Sequence, residues 1–177
     1  HQGNCMFKIC KSRIVAVVAF ALVVTTSISI YHIQSQKKEQ ATAVKLREIQ
    51  QRLVAKNAVS ARLSQAEKML VSGEFDTALP IIREIAEAGD ARAQHDLGWA
   101  YYQGIGLEKN YVQALSWFTK AAEAGDKSAS YYVGEIYYNG FGTVEADKEK
   151  AIIWFKRASE SGVKEAAQYL DKIEKLE

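Results

Sequence analysis

Cysteine, proline and histidine are nearly missing from this 177-residue chain, which has two, one and three of them respectively. Cys5 and Cys10 both precede the first long apolar run, and no cysteine follows it. The rest of the chain therefore has no disulfide framework, no cysteine-based metal site and no lipoprotein anchor. His1 and His32 lie before or within that run, which leaves His95. It stands beside Asp96, and adjacent helical residues leave the axis about 100° apart, so the two are not expected to pair. No HExxH motif, nucleophile elbow or metal-spaced cluster is present. The chain reads as a non-enzyme, with no catalytic residue, metal or cofactor. Nucleic acid is disfavoured too. Residues 71–177 carry 12 Lys and Arg against 18 Asp and Glu, a net charge of −6 that repels phosphate.

What is present begins with a charge gap. Residues 1–13 form a short basic tail with Lys8, Lys11 and Arg13 and no acid. Residues 14–33 contain no Asp, Glu, Lys or Arg, and their 20 residues match the ~20 that a helix needs to cross a bilayer. The expectation is an uncleaved signal anchor. A cleaved signal peptide is the alternative, with the most apolar part at Ile14–Val24 and Ser27-Ile28-Ser29 as a small-x-small cleavage site. Ala21, Thr25 and Ser29 form a small-residue line that would support weak self-association of the span. A short basic tail before an apolar run is the pattern of an export signal, so the chain that follows the span is expected to be exported. Lys37, Lys38, Lys45, Arg47 and Arg52 follow closely, and leave the cytoplasmic orientation open. Residues 34–58, free of proline and glycine, read as a basic helical stalk.

The remaining segment, 59–177, is repetitive. Asp90–Gly106 aligns with Asp126–Gly142 at an offset of 36, and Tyr111–Gly125 aligns with Lys148–Gly162 at 37. A period of this length marks stacked units. Each unit reads as two helices. In the first, Ala93, Leu97 and Tyr101 share a face, and Gly104-Ile105-Gly106 stops the helix. Asn110 and Asp147 are N-cap residues for the second helices, which carry Tyr111, Ala114, Leu115, Phe118, Ala121 and Ala122 on one broad face. Small residues such as Gly98, Ala100 and Ala114 would let helices approach closely. Residues 59–89 form a degenerate unit in which Pro80 is tolerable if Asp76 caps its helix. Residues 90–125 and 126–162 are full units, and 163–177 form a capping helix with Ala166 and Leu170 in core positions. The fold class is all-α, an αα-hairpin solenoid behind an N-terminal transmembrane helix.

The pattern Leu97-Gly98-x-x-Tyr101-x-x-Gly104-x-Gly106, then Ala114-x-x-Trp117-x-x-x-Ala121-Ala122-x-x-Gly125, resembles the Sel-one-like repeats, relatives of the tetratricopeptide repeats. The equivalent residues from Val133 to Gly162 repeat it. The resemblance implies an αα superhelix that serves as an adaptor for other proteins, often in bacterial envelope or signalling assemblies, and with the export pattern it puts the repeats on the periplasmic side of a bacterial inner membrane. The cysteines of some secreted members are absent here, and the disulfide-stabilised behaviour of those members does not carry over.

Candidate binding residues come from the first helix of each unit. His95, Trp99 and Tyr102 lie within about 60° of one another, nearly opposite the Ala93 and Leu97 face. Tyr131, Glu135 and Tyr138 occupy the same places one unit later. Stacked units would join them into a concave stripe suited to a peptide or helix carrying an apolar residue and a cation. The alternative is that Trp99 or Tyr138 packs against the adjoining unit. Trp117 and Trp154 recur with the period and border the core, which marks them as packing residues. The expected role is a membrane-anchored scaffold that binds a protein partner. The other reading is a glycan or peptidoglycan binder that uses Trp99, Tyr102, Tyr131 and Tyr138 as stacking platforms beside Glu135 and Asn139.

Overall fold

A computed structural model describes the backbone of residues 3–175 and the side chains of residues 20–175. Seven helices follow one another among them: α1 (Gly3–Val71), α2 (Phe75–Glu87), α3 (Ala91–Gln103), α4 (Tyr111–Glu123), α5 (Ala129–Asn139), α6 (Lys148–Glu160) and α7 (Lys164–Glu174). The chain divides into two compact units, residues 1–56 and 57–177.

The first unit is the leading part of α1. Phe20, Leu22, Val23, Ile30 and Ile33 are all exposed. The hydroxyls of Thr25, Thr26, Ser27 and Ser29 donate to carbonyls three or four residues back, as Ser29 Oγ does to Thr25 O at 2.9 Å. Such back-bonding satisfies the hydroxyl within its own helix. The hydroxyls of the expected pairing line, Thr25 and Ser29, are thus engaged on α1 itself. Among the described residues no helix is long and apolar enough to cross a membrane. The first six residues of the expected span, 14–19, have side chains outside that set, as does the basic tail 1–13.

The second unit is built from helices of 11 to 13 residues packed against the end of α1. Helices this short are marginal alone and depend on burying an apolar face against a neighbour. That burial forms a row of three clusters. Leu63 and Ala66 of α1 join Ile82, Ile85 and Ala86 of α2 and Ala93 and Leu97 of α3. Ala114, Phe118, Ala121 and Ala122 of α4 meet Ala129, Val133 and Ile136 of α5. Ala151, Phe155 and Ala158 of α6 meet Ala166 and Ile173 of α7. The second helix of each unit therefore shares its core with the first helix of the next. Tyr101 packs on the first and second clusters, and its repeat equivalent Tyr137 on the second and third. The solenoid is continuous because these tyrosines bridge successive clusters.

Local chemistry repeats with the units. Asn110 Oδ1 accepts from the amide of Gln113 at 3.0 Å and Asp147 Oδ1 from that of Lys150 at 2.9 Å, which caps α4 and α6. The same loops are tied back to the preceding helix by Asn110 N to Tyr101 O at 2.9 Å and Asp147 N to Tyr137 O at 2.8 Å. Gly104 and Gly140 take left-handed φ values of 77° and 65° just past α3 and α5, where a side chain would be strained. Gly98 and Gly134 serve a different purpose. A Cβ at either would lie 2.9 Å from Phe118 Cδ1 or 2.8 Å from Phe155 Cδ1, so each glycine makes room for the fully buried ring of its own unit.

Two local expectations need correction. Glu74, not Asp76, holds the N-cap position of α2, and its side chain makes no capping bond. The helix consequently begins earlier than expected, and Pro80 sits within it, where proline supplies no N–H for the Asp76 carbonyl. At the other end, Ala166 is fully buried, whereas Leu170 is half-buried and Ile173 takes the deeper place.

Candidate functional site

The first helices α3 and α5 aim the candidate side chains. Asp90 Oδ1 accepts from the amides of Arg92 and Ala93 at 3.0 Å each, which fixes the start of α3. Asp126 Oδ1 does the same for Ala129 at 2.8 Å, although α5 begins three residues beyond it. With both starts pinned and the Ala93 and Leu97 face buried, the next face round each helix turns toward the gap between successive units.

Four of the six expected residues meet there. Trp99, Tyr102, Tyr131 and Glu135 line a pocket of about 480 Å³, together with Tyr132 and Gln103. Ser128, Val163 and Glu165 complete its wall, so residues at or beside three successive first helices take part. Trp99 and Tyr102, three residues apart on α3, lie nearly parallel with ring centres 5.7 Å apart and 13° between planes. Tyr132 stands across from both, 5.2 Å from Trp99 and 6.1 Å from Tyr102. The Tyr102 hydroxyl donates to Glu135 Oε2 at 3.1 Å, and the Tyr131 hydroxyl reaches Oε1 at 3.5 Å. One carboxylate is thus held from both sides by phenols of two units. Burial, and next the charge of Glu135, push both phenols well above the ordinary tyrosine range. Tyr132 is shifted the same way, with burial again the leading cause. Both Glu135 and Glu165 are acids, and the wall contains no Lys or Arg.

The other two expected residues lie elsewhere. His95 is half-buried against Phe118 and Tyr132, with ring centres 5.5 and 5.6 Å away. Its Nδ1 comes within 3.7 Å of Asp96 Oδ1, closer than their angular separation on the helix predicts. The separation is still too long for a hydrogen bond. Tyr138 packs on Tyr169 at 5.4 Å and on Phe155 at 6.4 Å, in the next boundary. The stripe is therefore neither wholly free nor wholly packed. All six residues are half-buried, and Trp99 and Tyr138 each touch the adjoining unit. Asn139 is not at the pocket, and its amide donates to the Glu135 carbonyl at 3.0 Å. Trp117 and Trp154 pack beside the first and second clusters, with Lys120 Nζ 4.0 Å from one ring centre and the Arg157 guanidinium 5.3 Å from the other. Among the described residues there is no group of three or more His, Cys, Asp or Glu that could hold a metal.

Tyr132, the centre of the ring cluster, was not among the expected residues. It stacks on Phe118 at 4.9 Å and 17°, and Tyr169 stacks on Phe155 at 4.7 Å and 18°. Both pairs repeat at an offset of 37, and that shared spacing was the sequence signal.

Comparison with known proteins gives one consistent picture. The family model described as Sel1 repeat matches residues 91–126 and 127–163. A crystal structure of a Sel1 repeat protein from Oxalobacter formigenes is 33% identical at a TM-score of 0.58, over 64% of this chain and 88% of that one. The structure of c5321, a protective antigen of uropathogenic Escherichia coli displaying an SLR fold, is 26% identical at a TM-score of 0.58. It is matched over 63% of this chain and 25% of its own. A sel1-like repeat-containing protein, L18, of Acanthamoeba polyphaga mimivirus is 44% identical over 39 residues. That match covers 22% of this chain and only 7% of the mimivirus protein.

Proposed function

We propose a function that starts from one premise: this chain belongs to the Sel1 repeat family. Its repeat domain is a protein-interaction scaffold, and a partner polypeptide docks on the first-helix side, at the pocket between Trp99, Tyr102, Tyr131 and Glu135. The carrying observation is that half-buried aromatic rings and an oriented carboxylate from two units converge on one opening of about 480 Å³. Aromatic anchors in a pocket are what most protein interfaces rely on. Glycan binding is less well supported, because the Asn139 amide is spent on a helix carbonyl rather than offered beside a ring.

The scaffold is anchored in a bacterial membrane as part of an envelope assembly. Support comes from the 20 uncharged residues of 14–33 and from hydroxyls that bond their own helix rather than the surroundings. The repeats face the periplasm, and reporters active on one side of the membrane, fused to the C-terminus, test this. A cytoplasmic signal reverses the topology.

The binding reading is tested by capture from solubilised membranes. Gln103→Trp fills the pocket mouth from an exposed position, and Ile153→Glu alters an exposed site on α6. A specific partner, identified by mass spectrometry, is lost with the first variant and kept with the second. Retention of every partner by Gln103→Trp removes the pocket from the account.

A further inference from the structure

Resting on that reading of the pocket, we infer that its occupant is an arginine side chain of the partner polypeptide, laid flat on the Trp99–Tyr102 ring stack and paired with the Glu135 carboxylate. Three observations converge on this chemistry.

The first is a contrast among the aromatic rings of the repeats. Tyr111, Trp117, Tyr137, Tyr138, Trp154 and Tyr169 each have a Lys or Arg of this chain within about 6 Å of the ring centre. Among the described residues, no such cation stands over Trp99, Tyr102, Tyr131 or Tyr132, the four rings of the pocket. The comparison is sharpest at equivalent positions. Tyr138 repeats Tyr102, and Lys172 Nζ lies 5.7 Å from its ring centre. The chain supplies its own cation to Tyr138 and none to its repeat equivalent Tyr102 in the pocket.

The second is charge. Glu135 and Glu165 face the pocket with no opposing base in its wall. An incoming cation is attracted by both carboxylates and by the ring faces. An incoming acid is repelled.

The third is shape. Trp99 and Tyr102 stack on each other, 5.7 Å apart with 13° between planes, too close to admit a cation between them, and the pair offers a flat aromatic face that suits a planar cation more than a compact ammonium. The Glu135 carboxylate is already oriented by the phenols of Tyr102 and Tyr131, which use one lone pair on each oxygen. The remaining lone pairs accept the paired N–H groups of a guanidinium. Little of the ordering cost of the site is left for binding to meet, because the phenols meet it in the free protein.

The test uses the full chain in detergent and three probes: acetyl-leucyl-arginine amide, its lysine counterpart, and its citrulline counterpart, the neutral isostere. Binding is followed by the indole N–H resonance of Trp99, assigned by comparison with Trp99→Phe. The arginine probe shifts that resonance and binds at least about tenfold more tightly than the citrulline probe, the effect expected of charged hydrogen bonds. Glu135→Gln, which keeps the shape of the side chain and an acceptor for one phenol while turning an amide N–H toward the other, removes that tenfold advantage, while Glu123→Gln, exposed on α4, preserves it. Equal binding of the citrulline probe, tighter binding of the lysine probe, or an arginine preference that survives Glu135→Gln overturns the inference. If the arginine probe fails while Gln103→Trp still loses its partner, the cation assignment falls and the scaffold reading stands. If the probe binds as described but no partner depends on Gln103, the arginine subsite stands and the scaffold reading falls.

Discussion

Replacing Gly134 by alanine sets two opposing effects against each other on one helix. Alanine is favoured over glycine in a helix interior by about 1 kcal/mol. Against that gain, the new methyl would sit 2.8 Å from Phe155 Cδ1, 2.9 Å from Cε1 and 3.2 Å from Cγ. Carbon atoms pack best at about 3.5–4.0 Å, so the ring has to retreat by several tenths of an ångström. Its far side is not open: Tyr169 stacks on it at 4.7 Å and 18°, and Tyr131 lies 6.0 Å away. Overpacking of this kind costs about 1–3 kcal/mol, which leaves Gly134→Ala between neutral and about 2 kcal/mol destabilising. In a Phe155→Leu background the clash is relieved, and the same change stabilises by up to about 1 kcal/mol. The double-mutant cycle in urea therefore yields a coupling of about 1–3 kcal/mol between two residues of one unit. The same sign is expected for Gly98→Ala with Phe118→Leu, since the spacing there is nearly the same. If Gly134→Ala stabilises the chain by the same amount with Phe155 present as without it, the close-approach explanation of the repeated glycine is wrong.

Other outcomes follow from the caps, the core and the phenols. Asp147→Ala leaves the Lys150 amide without its acceptor and should cost about 0.5–2 kcal/mol. Thermal unfolding reads the cost, and amide exchange at Lys150 shows whether the loss is local. Phe118→Ala, at a fully buried position, should cost about 3–5 kcal/mol in urea unfolding, and a cost below about 1 kcal/mol would contradict its place in the core. Among nine tyrosines, Tyr102, Tyr131 and Tyr132 should ionise last in a spectroscopic titration, since burial and then Glu135 raise all three. Because folding raises these values, their contribution to stability is intact below the ordinary tyrosine range near ~10 and is lost as pH rises through the raised values. Glu135→Gln should bring Tyr102 and Tyr131 partway back, and an unchanged titration would show that the carboxylate does not act on them.

Much of the fold was legible because repetition doubles every signal. Gly104 and Gly140 announced the ends of first helices, Asn110 and Asp147 the starts of second ones, and the structure places left-handed glycines and capping bonds there. The stacked αα architecture followed from the period. The start of α2 was harder to read, because Glu74 holds the cap position without a side-chain bond and so left no sequence mark. The site was half legible for a geometric reason. A helical wheel gives the direction of a side chain from its own axis but not the position of the neighbouring helix. His95 and Trp99 share a face of α3, yet one ring is wedged against Phe118 and the other borders the pocket. Tyr132 was hidden for the same reason. It aligns with Asp96 in the preceding unit, a residue of different character, and its one sequence mark is the offset of 37 that the Tyr132 and Phe118 pair shares with Tyr169 and Phe155.

The most direct measurement places a small diazirine-bearing aliphatic residue, close to glutamine in size and so leaving the pocket open, at Gln103, at the pocket mouth, and in a second chain at Ile153, exposed on α6. After irradiation in membranes, a partner polypeptide should be captured covalently from position 103 and not from 153, with capture lost on Glu135→Gln. Capture of the same partner from 153 alone would place the binding surface on the second helices and contradict the account.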